Sequence, residues 1–394
     1  MNLRNLWIAA LLVTGCRGEA PAPAGQLDIS ALVDSLRPRV EEAVGLPFRE
    51  PPRSAMVSKD DVRRYIVARL DAEFPPSRRE GVQAAYRLFG LLADSLNLDA
   101  LLLDLYTEQV AGYYDPQTST LYGVIGGDET QLRLVLAHEL VHALQHQYLP
   151  LDTLMRSGDD GDLTGATQAV LEGHATLASI TLMTGGSDIA STPEFWENYK
   201  EQVRAGQQSM PVFSRAPLVL REALIFPYVA GAEFMRWWQA ERRTPLPRRE
   251  ELPRSTEQVL HPDRYPADGP VRLRFTDSAA AQFEDTLGEL EAAVLLAVFR
   301  GAAQASLDLP LGWGGDRYRL YSSPNGPALV WYSVWDGAPQ RDRFLAAARE
   351  GFRRVQRAGY RVEVAPLAIE GRAGIRMVHR PADWSVQPEI RIQD

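Results

Sequence analysis

Cysteine is nearly absent: Cys16 is the only one in 394 residues. That excludes a disulfide within the chain and a cysteine-based zinc knuckle. Lysine is almost as scarce. Of the 42 cationic side chains only Lys59 and Lys200 are lysines. Such a skew is what coding bias produces, so scattered arginines are not read as an anion site. No basic run interrupts a chain of formal net charge -9, which argues against nucleic acid as a partner. No apolar run reaches the ~20 residues that a membrane-spanning helix needs. With 45% hydrophobic and 24% charged residues the chain is not wholly disordered. At ~150 residues per domain its length suits two or three folding units.

The N-terminus carries an address. After Met1-Asn-Leu-Arg-Asn comes the apolar run Leu6–Val13, then the small residues Thr14 and Gly15. This is the pattern of a secretory signal. Val13-Thr14-Gly15-Cys16 resembles a bacterial lipobox. The resemblance implies cleavage before Cys16, acylation of its thiol, and stable anchoring by more than one acyl chain. Residues 17–26 then form a Pro/Ala/Gly tether. The expected location is the bacterial cell envelope, facing the extracytoplasmic side. By the same resemblance, Arg17 in place of Asp favours an outer-membrane destination in a two-membrane cell.

Residues 27–107 read as helical. Ile29, Leu32, Val33 and Leu36 recur at helical spacing. Pro47, Pro51 and Pro52 break the chain, and Ser58-Lys59-Asp60-Asp61 starts another helix. Residues 109–114 and 118–125 read as strands joined by a turn at 115–117. A helix follows over 129–148, with Asp128 as its cap and apolar residues around most of its circumference. Such a helix is buried, so its polar residues need partners. The acidic loop 157–162 lacks the alternating spacing of a calcium loop and reads as a solvated turn. Further helices are expected over 163–183, 193–206 and 216–241, the last with a break at Pro227. Beyond residue 266 a small α+β domain is expected. It has a helix over 283–299 capped by Thr286 and Glu289, hairpins around 324–326 and 370–372, and a helix over 340–357.

His138-Glu139-Leu140-Val141-His142 is a His-Glu-x-x-His motif in a chain with six histidines. Residues four apart share a helix face, so both imidazoles can bind one zinc ion, with Glu139 beside them as general base. Here the chain resembles the zincin metallopeptidases, in their gluzincin branch. Residues 143–148, Ala-Leu-Gln-His-Gln-Tyr, lack the Gly and third His of the metzincins. The resemblance implies a third ligand from a Glu on a following helix. Glu172, in Val170-Leu-Glu-Gly-His-Ala-Thr176, matches it. His174 and His146 are the competitors. His146 drifts off the metal face by ~40° for each step of four residues, and His174 points to another side of its helix. Gly173 lets two helices approach closely.

The resemblance also implies a substrate strand, for which 118–125 is expected as the sheet edge, and a downstream oxyanion donor. Tyr228 and His261 are the candidates, with Tyr265 behind them. Glu233 or Asp263 would orient the ligating imidazoles. Trp237, Trp238, Trp313, Trp331 and Trp335 read as packing. The expected fold class is α+β: a mostly helical zincin-like catalytic unit over 108–265 with a short β-sheet edge, and a C-terminal α+β domain over 266–394. The expected function is that of a membrane-anchored zinc peptidase acting on peptides or proteins. The alternatives are a zinc amidase acting on cell-wall peptides and a non-catalytic binding lipoprotein with a vestigial metal site. The oligomeric state is not readable.

Overall fold

The structure is a computed structural model that describes residues 28–126, 129–154, 160–186, 192–307, 311–355 and 357–393. The signal, Cys16 and its tether, the Asp128 cap and residues 157–159 of the acidic loop lie outside the described residues. No described helix is long and apolar enough to cross a membrane. The fold is α+β, as expected.

Helix α1 (Ile29–Val44) is capped by the Asp28 carboxylate and buries the periodic face read from the sequence: Ile29, Leu32, Val33, Leu36 and Val40. Strand β1 (Arg53–Val57) follows where only a proline break was expected. Next come α2 (Lys59–Glu73), α3 (Pro76–Phe89) and α4 (Leu98–Gln109). Ser58 and Asp61 close a capping box on α2. Strands β2 (Gly112–Asp115) and β3 (Thr120–Val124) form an antiparallel hairpin, and β1 adds to β3 in parallel, giving the order β1-β3-β2. This corrects the reading of 118–125 as a sheet edge: β3 is central, with both sides hydrogen-bonded.

Helix α5 (Glu129–Tyr148) lies against α1, the β2–β3 hairpin and, beyond the short α6 (Leu151–Leu154), α7 (Gly161–Met183). Its apolar circumference is buried on every side, as the pattern required. Helix α8 (Pro193–Gln208) leads to α9 (Leu218–Arg242), which runs unbroken through Pro227. Helices α7 and α9 cross at Gly173 and Gly231. A Cβ on Gly173 would collide with the Gly231 carbonyl, and one on Gly231 with Ala169 O. The close approach expected of Gly173 is therefore real, but its partner is α9 and not α5.

After α10 (Thr256–Leu260) come β4 (Leu273–Phe275), β5 (Ala281–Asp285) and α11 (Gly288–Arg300). Strands β6 (Trp313–Tyr321) and β7 (Ala328–Trp335) precede α12 (Ala338–Arg354), and β8 (Tyr360–Ile369), β9 (Arg372–Pro381) and β10 (Ile390–Ile392) close the chain. Five strands form an antiparallel sheet in the order β5-β6-β7-β9-β8, and β10 pairs with β4. Both expected hairpins are present. The turn between β8 and β9 has positive φ at Glu370 and Gly371, the geometry of a two-residue hairpin loop. The cap of α11 differs from expectation. It is not Thr286 with Glu289 but Asp316 of β6, whose carboxylate accepts from Leu287 N at 3.0 Å and Gly288 N at 2.9 Å.

The sheet is covered on both faces. Leu329, Trp331 and Trp335 of β7 join a core shared with α2, α3, α4, α11 and α12. Val330, Tyr332 and Val334, pointing the other way, pack under β4, β10 and Trp384.

Candidate metal centre

His138 and His142 sit one turn apart on α5, and Glu172 faces them from α7. His138 Nε2 is 3.1 Å and His142 Nε2 3.3 Å from Glu172 Oε2, and the two Nε2 atoms are 3.2 Å apart. A tetrahedral ion with ligand bonds of 2.0–2.1 Å separates its ligands by about 3.3 Å. The three atoms thus already occupy three corners of a zinc-sized tetrahedron, and each group offers one ligand atom. Each side chain is 1–2% exposed. Burial alone would push the Glu172 carboxyl up. The His142 charge and the hydrogen bonds to both imidazoles outweigh it and hold the carboxyl below its ordinary value. Burial pushes the His142 imidazole down, and Glu172, Glu139 and the Gln145 hydrogen bond together raise it further than burial lowers it.

Glu139 lies beside these ligands, 1% exposed. Its Oε2 accepts from Tyr114 N, the β2 backbone, at 2.7 Å. Its Oε1 is buried with no hydrogen-bond partner among the described residues. A buried oxygen in that state is costly unless something else fills the site. Burial pushes the carboxyl up to about 8, against the pull of His142. The orphaned oxygen, the tetrahedral spacing and the nitrogen–oxygen donor set all fit a zinc ion.

The competing ligands are accounted for otherwise. His146 Nδ1 lies 2.9 Å from Tyr114 Oη, and His174 Nδ1 lies 3.0 Å from Gln145 Nε2. Tyr228 of α9 is brought to the site, its ring centred 6.1 Å from that of His138. His261 is not among these groups. Its Nε2 lies 3.0 Å from Glu289 Oε2, next to the carboxylates of Glu257, Asp268 and Asp336. That second acidic group already holds a cation, with Arg264 Nη1 2.9 Å from Asp268 and 3.4 Å from Asp336. Tyr265 Oη donates to Glu251 O at 2.6 Å.

The expected orienting carboxylates are corrected as well. Glu233 pairs with Lys200 at 2.9 Å, and Asp263 is exposed. The side chain on His142 is Gln145, whose Oε1 lies 2.9 Å from Nδ1. The sequence reading passed over Gln145 and Tyr114. For Gln145 a signal existed: an amide three residues after His142, on a helix apolar around most of its circumference. For Tyr114 none did, because its backbone supplies the contact. The tryptophans are packing, and Trp313 and Trp331 also donate to Asp316 at 2.9 Å each.

Residues 274–378 match the family model of a domain of unknown function, DUF8575. The match runs from β4 into β9 and does not include the metal centre. No curated protein and no solved structure matches the chain.

Proposed function

We propose that the protein is a zinc-dependent peptidase, held at the extracytoplasmic face of a bacterial envelope through a lipidated Cys16. One observation carries the catalytic reading: His138 Nε2, His142 Nε2 and Glu172 Oε2 converge at 3.1–3.3 Å, with the orphaned Glu139 Oε1 beside them. A zinc ion held there supplies Lewis acidity and lowers the pKa of a water towards ~7. Glu139 Oε1 takes the proton of the attacking water and returns it to the leaving amine. Burial favours the protonated carboxyl, and the charge of a bound ion would pull it back towards the carboxylate that accepts a proton. The Tyr114 N–H holds Oε2 and so aims Oε1. Tyr228 is the donor for the developing oxyanion. The burial of these side chains strengthens each of these interactions. The anchoring reading rests on the Leu6–Val13 run and the lone cysteine behind it.

The test is zinc per chain and chelator-sensitive cleavage of an unfolded protein, for the wild type beside Glu139→Gln. The expected result is one zinc in each and turnover lower by ~10²–10⁴-fold in the variant. A wild type that binds no zinc, or a variant of comparable turnover, overturns the reading. One zinc without cleavage in the wild type would leave a metal-binding lipoprotein.

A further inference from the structure

We infer that Gln145 and His174 form a positioning relay that sets the tautomer of His142 and thereby the affinity of the centre for zinc. This rests on the metal reading above and adds two residues to it.

The argument starts from what each atom can do. A carbonyl oxygen only accepts. Gln145 lies 2.8 Å from Leu171 O through the atom that must therefore be Nε2. That fixes the amide: Nε2 faces α7, and Oε1 faces His142 Nδ1 at 2.9 Å. Oε1 also only accepts. The hydrogen between them is therefore on His142 Nδ1, so in the neutral ring that would bind a metal the lone pair is on Nε2. Nε2 is the atom that meets His138 and Glu172. The second hydrogen of Gln145 Nε2 points at His174 Nδ1, 3.0 Å away. His174 accepts it there and carries its own hydrogen on Nε2.

Nothing in this chain can reverse singly. Gln145 is fully buried and His174 is 1% exposed, so their hydrogen bonds do not compete with bulk water. The relay also spans both ligand helices. Leu171 and His174 flank Glu172 on α7, while His142 is on α5. One amide therefore fixes a ring orientation and the spacing of the two helices that must meet at the metal. A histidine ligand with its far nitrogen unheld loses typically about 10–100-fold in metal affinity.

The experiment is zinc affinity by chelator competition for the wild type, Gln145→Leu and Gln145→Glu, each with a thermal melt of the metal-free protein. Leucine removes the acceptor and both donors, and the expected zinc affinity falls ~10–100-fold. Glutamate keeps an acceptor for His142 Nδ1–H but cannot donate to Leu171 or His174, so it is expected to recover part of the affinity and to remain below the wild type. A folded Gln145→Leu protein with wild-type affinity overturns the relay, as does a glutamate variant no better than the leucine one. Zinc failing to bind the wild type overturns the metal reading instead. A second measurement needs no variant: ¹⁵N-histidine NMR of the zinc-loaded wild type. His142 is expected with its hydrogen on Nδ1 and His174 with its hydrogen on Nε2. Either ring in the opposite form overturns the proposal.

Discussion

Tyr228 is the residue on which the mechanism can be cut most finely. Its ring lies beside His138, yet it is not one of the three groups that converge on the ion position. A phenolic hydroxyl that steadies an oxyanion acts only when negative charge develops. Tyr228→Phe keeps the ring and the packing and removes the hydroxyl. Zinc content and KM are expected to stay close to wild type while kcat falls by roughly 10²-fold. A variant with unchanged kcat would remove Tyr228 from the mechanism. At this scale the sequence was most informative where chemistry depends on spacing along one helix. His138, Glu139 and His142 are in register because a helix turn is 3.6 residues. Glu172 needed a resemblance as well. The Gln145 relay was not legible, because it depends on where the Leu171 carbonyl lies, and no pattern in residues 171–174 states that.

Among the elements, the crossing of α7 and α9 has the least room. The Cβ of an alanine at 231 would run into the Ala169 carbonyl of the facing helix. Backbone on one side and backbone on the other leave no flexible side chain to yield, so the helices must separate. Overpacking of this kind costs about 1–3 kcal/mol or more. Because Glu172 follows Ala169 by less than a turn, the displacement also reaches a ligand. Gly231→Ala is expected to lower the denaturant midpoint and weaken zinc binding together. An unchanged midpoint would mean that the crossing is looser than the distances say.

A second element contact ties the C-terminal sheet to the N-terminal helices: His379 of β9, fully buried, lies 2.7 Å from Leu88 O through Nδ1. Burial holds this imidazole below its ordinary value. Arg357 acts in the same direction, and the Leu88 carbonyl and Asp94 oppose both. The Tyr360 ring meets it edge-on. A group of this kind binds fewer protons folded than unfolded once the pH drops below ~6.5. Its contribution to stability is therefore present above that pH and is lost on acidification. His379→Gln can still donate to Leu88 but does not titrate. It is expected to flatten the fall of stability below pH ~6.5 by up to about 1.4 kcal/mol per pH unit. Equal slopes in the two proteins would show that His379 does not carry the effect. Elements were legible in the sequence where their partners were local. The α5 boundaries, the β6–β7 and β8–β9 hairpins and the Ser58 cap all follow from residues a few positions apart. The α11 cap was not, because Asp316 comes from β6. Nor was β1, a five-residue strand whose parallel partner, β3, lies far along the chain.

On the scale of the whole molecule, the three expected regions do not keep separate interiors. Helix α1 packs on the metal-bearing α5, whereas α2, α3 and α4 share a core with the C-terminal sheet. Phe89 of α3 stands edge-on to Tyr318 of β6 at 5.3 Å and to Trp331 of β7 at 5.9 Å. A side chain on Gly81 of α3 would collide with the Phe283 ring of β5. Polar links run the same way. Asp285 of β5 pairs with Arg78 at 2.8 Å and accepts from Gly161 N at 2.8 Å, where α7 begins. The sheet that matches the domain family is therefore a wall of the helical part's core, not an appendage to it. Removing residues 267–394 would expose Tyr86, Phe89 and their neighbours, each at about 1.5–3 kcal/mol of lost burial. A few such residues exceed the net stability of an ordinary domain, about 5–15 kcal/mol. The truncated chain is expected to show no cooperative melt and no zinc binding. The intact chain is expected to unfold in one step, with far-ultraviolet dichroism and tryptophan fluorescence coinciding, since Trp196 and Trp238 report on the helical part and Trp313 and Trp331 on the sheet. Two separated transitions, or a folded zinc-binding fragment, would show that the catalytic part stands without the sheet.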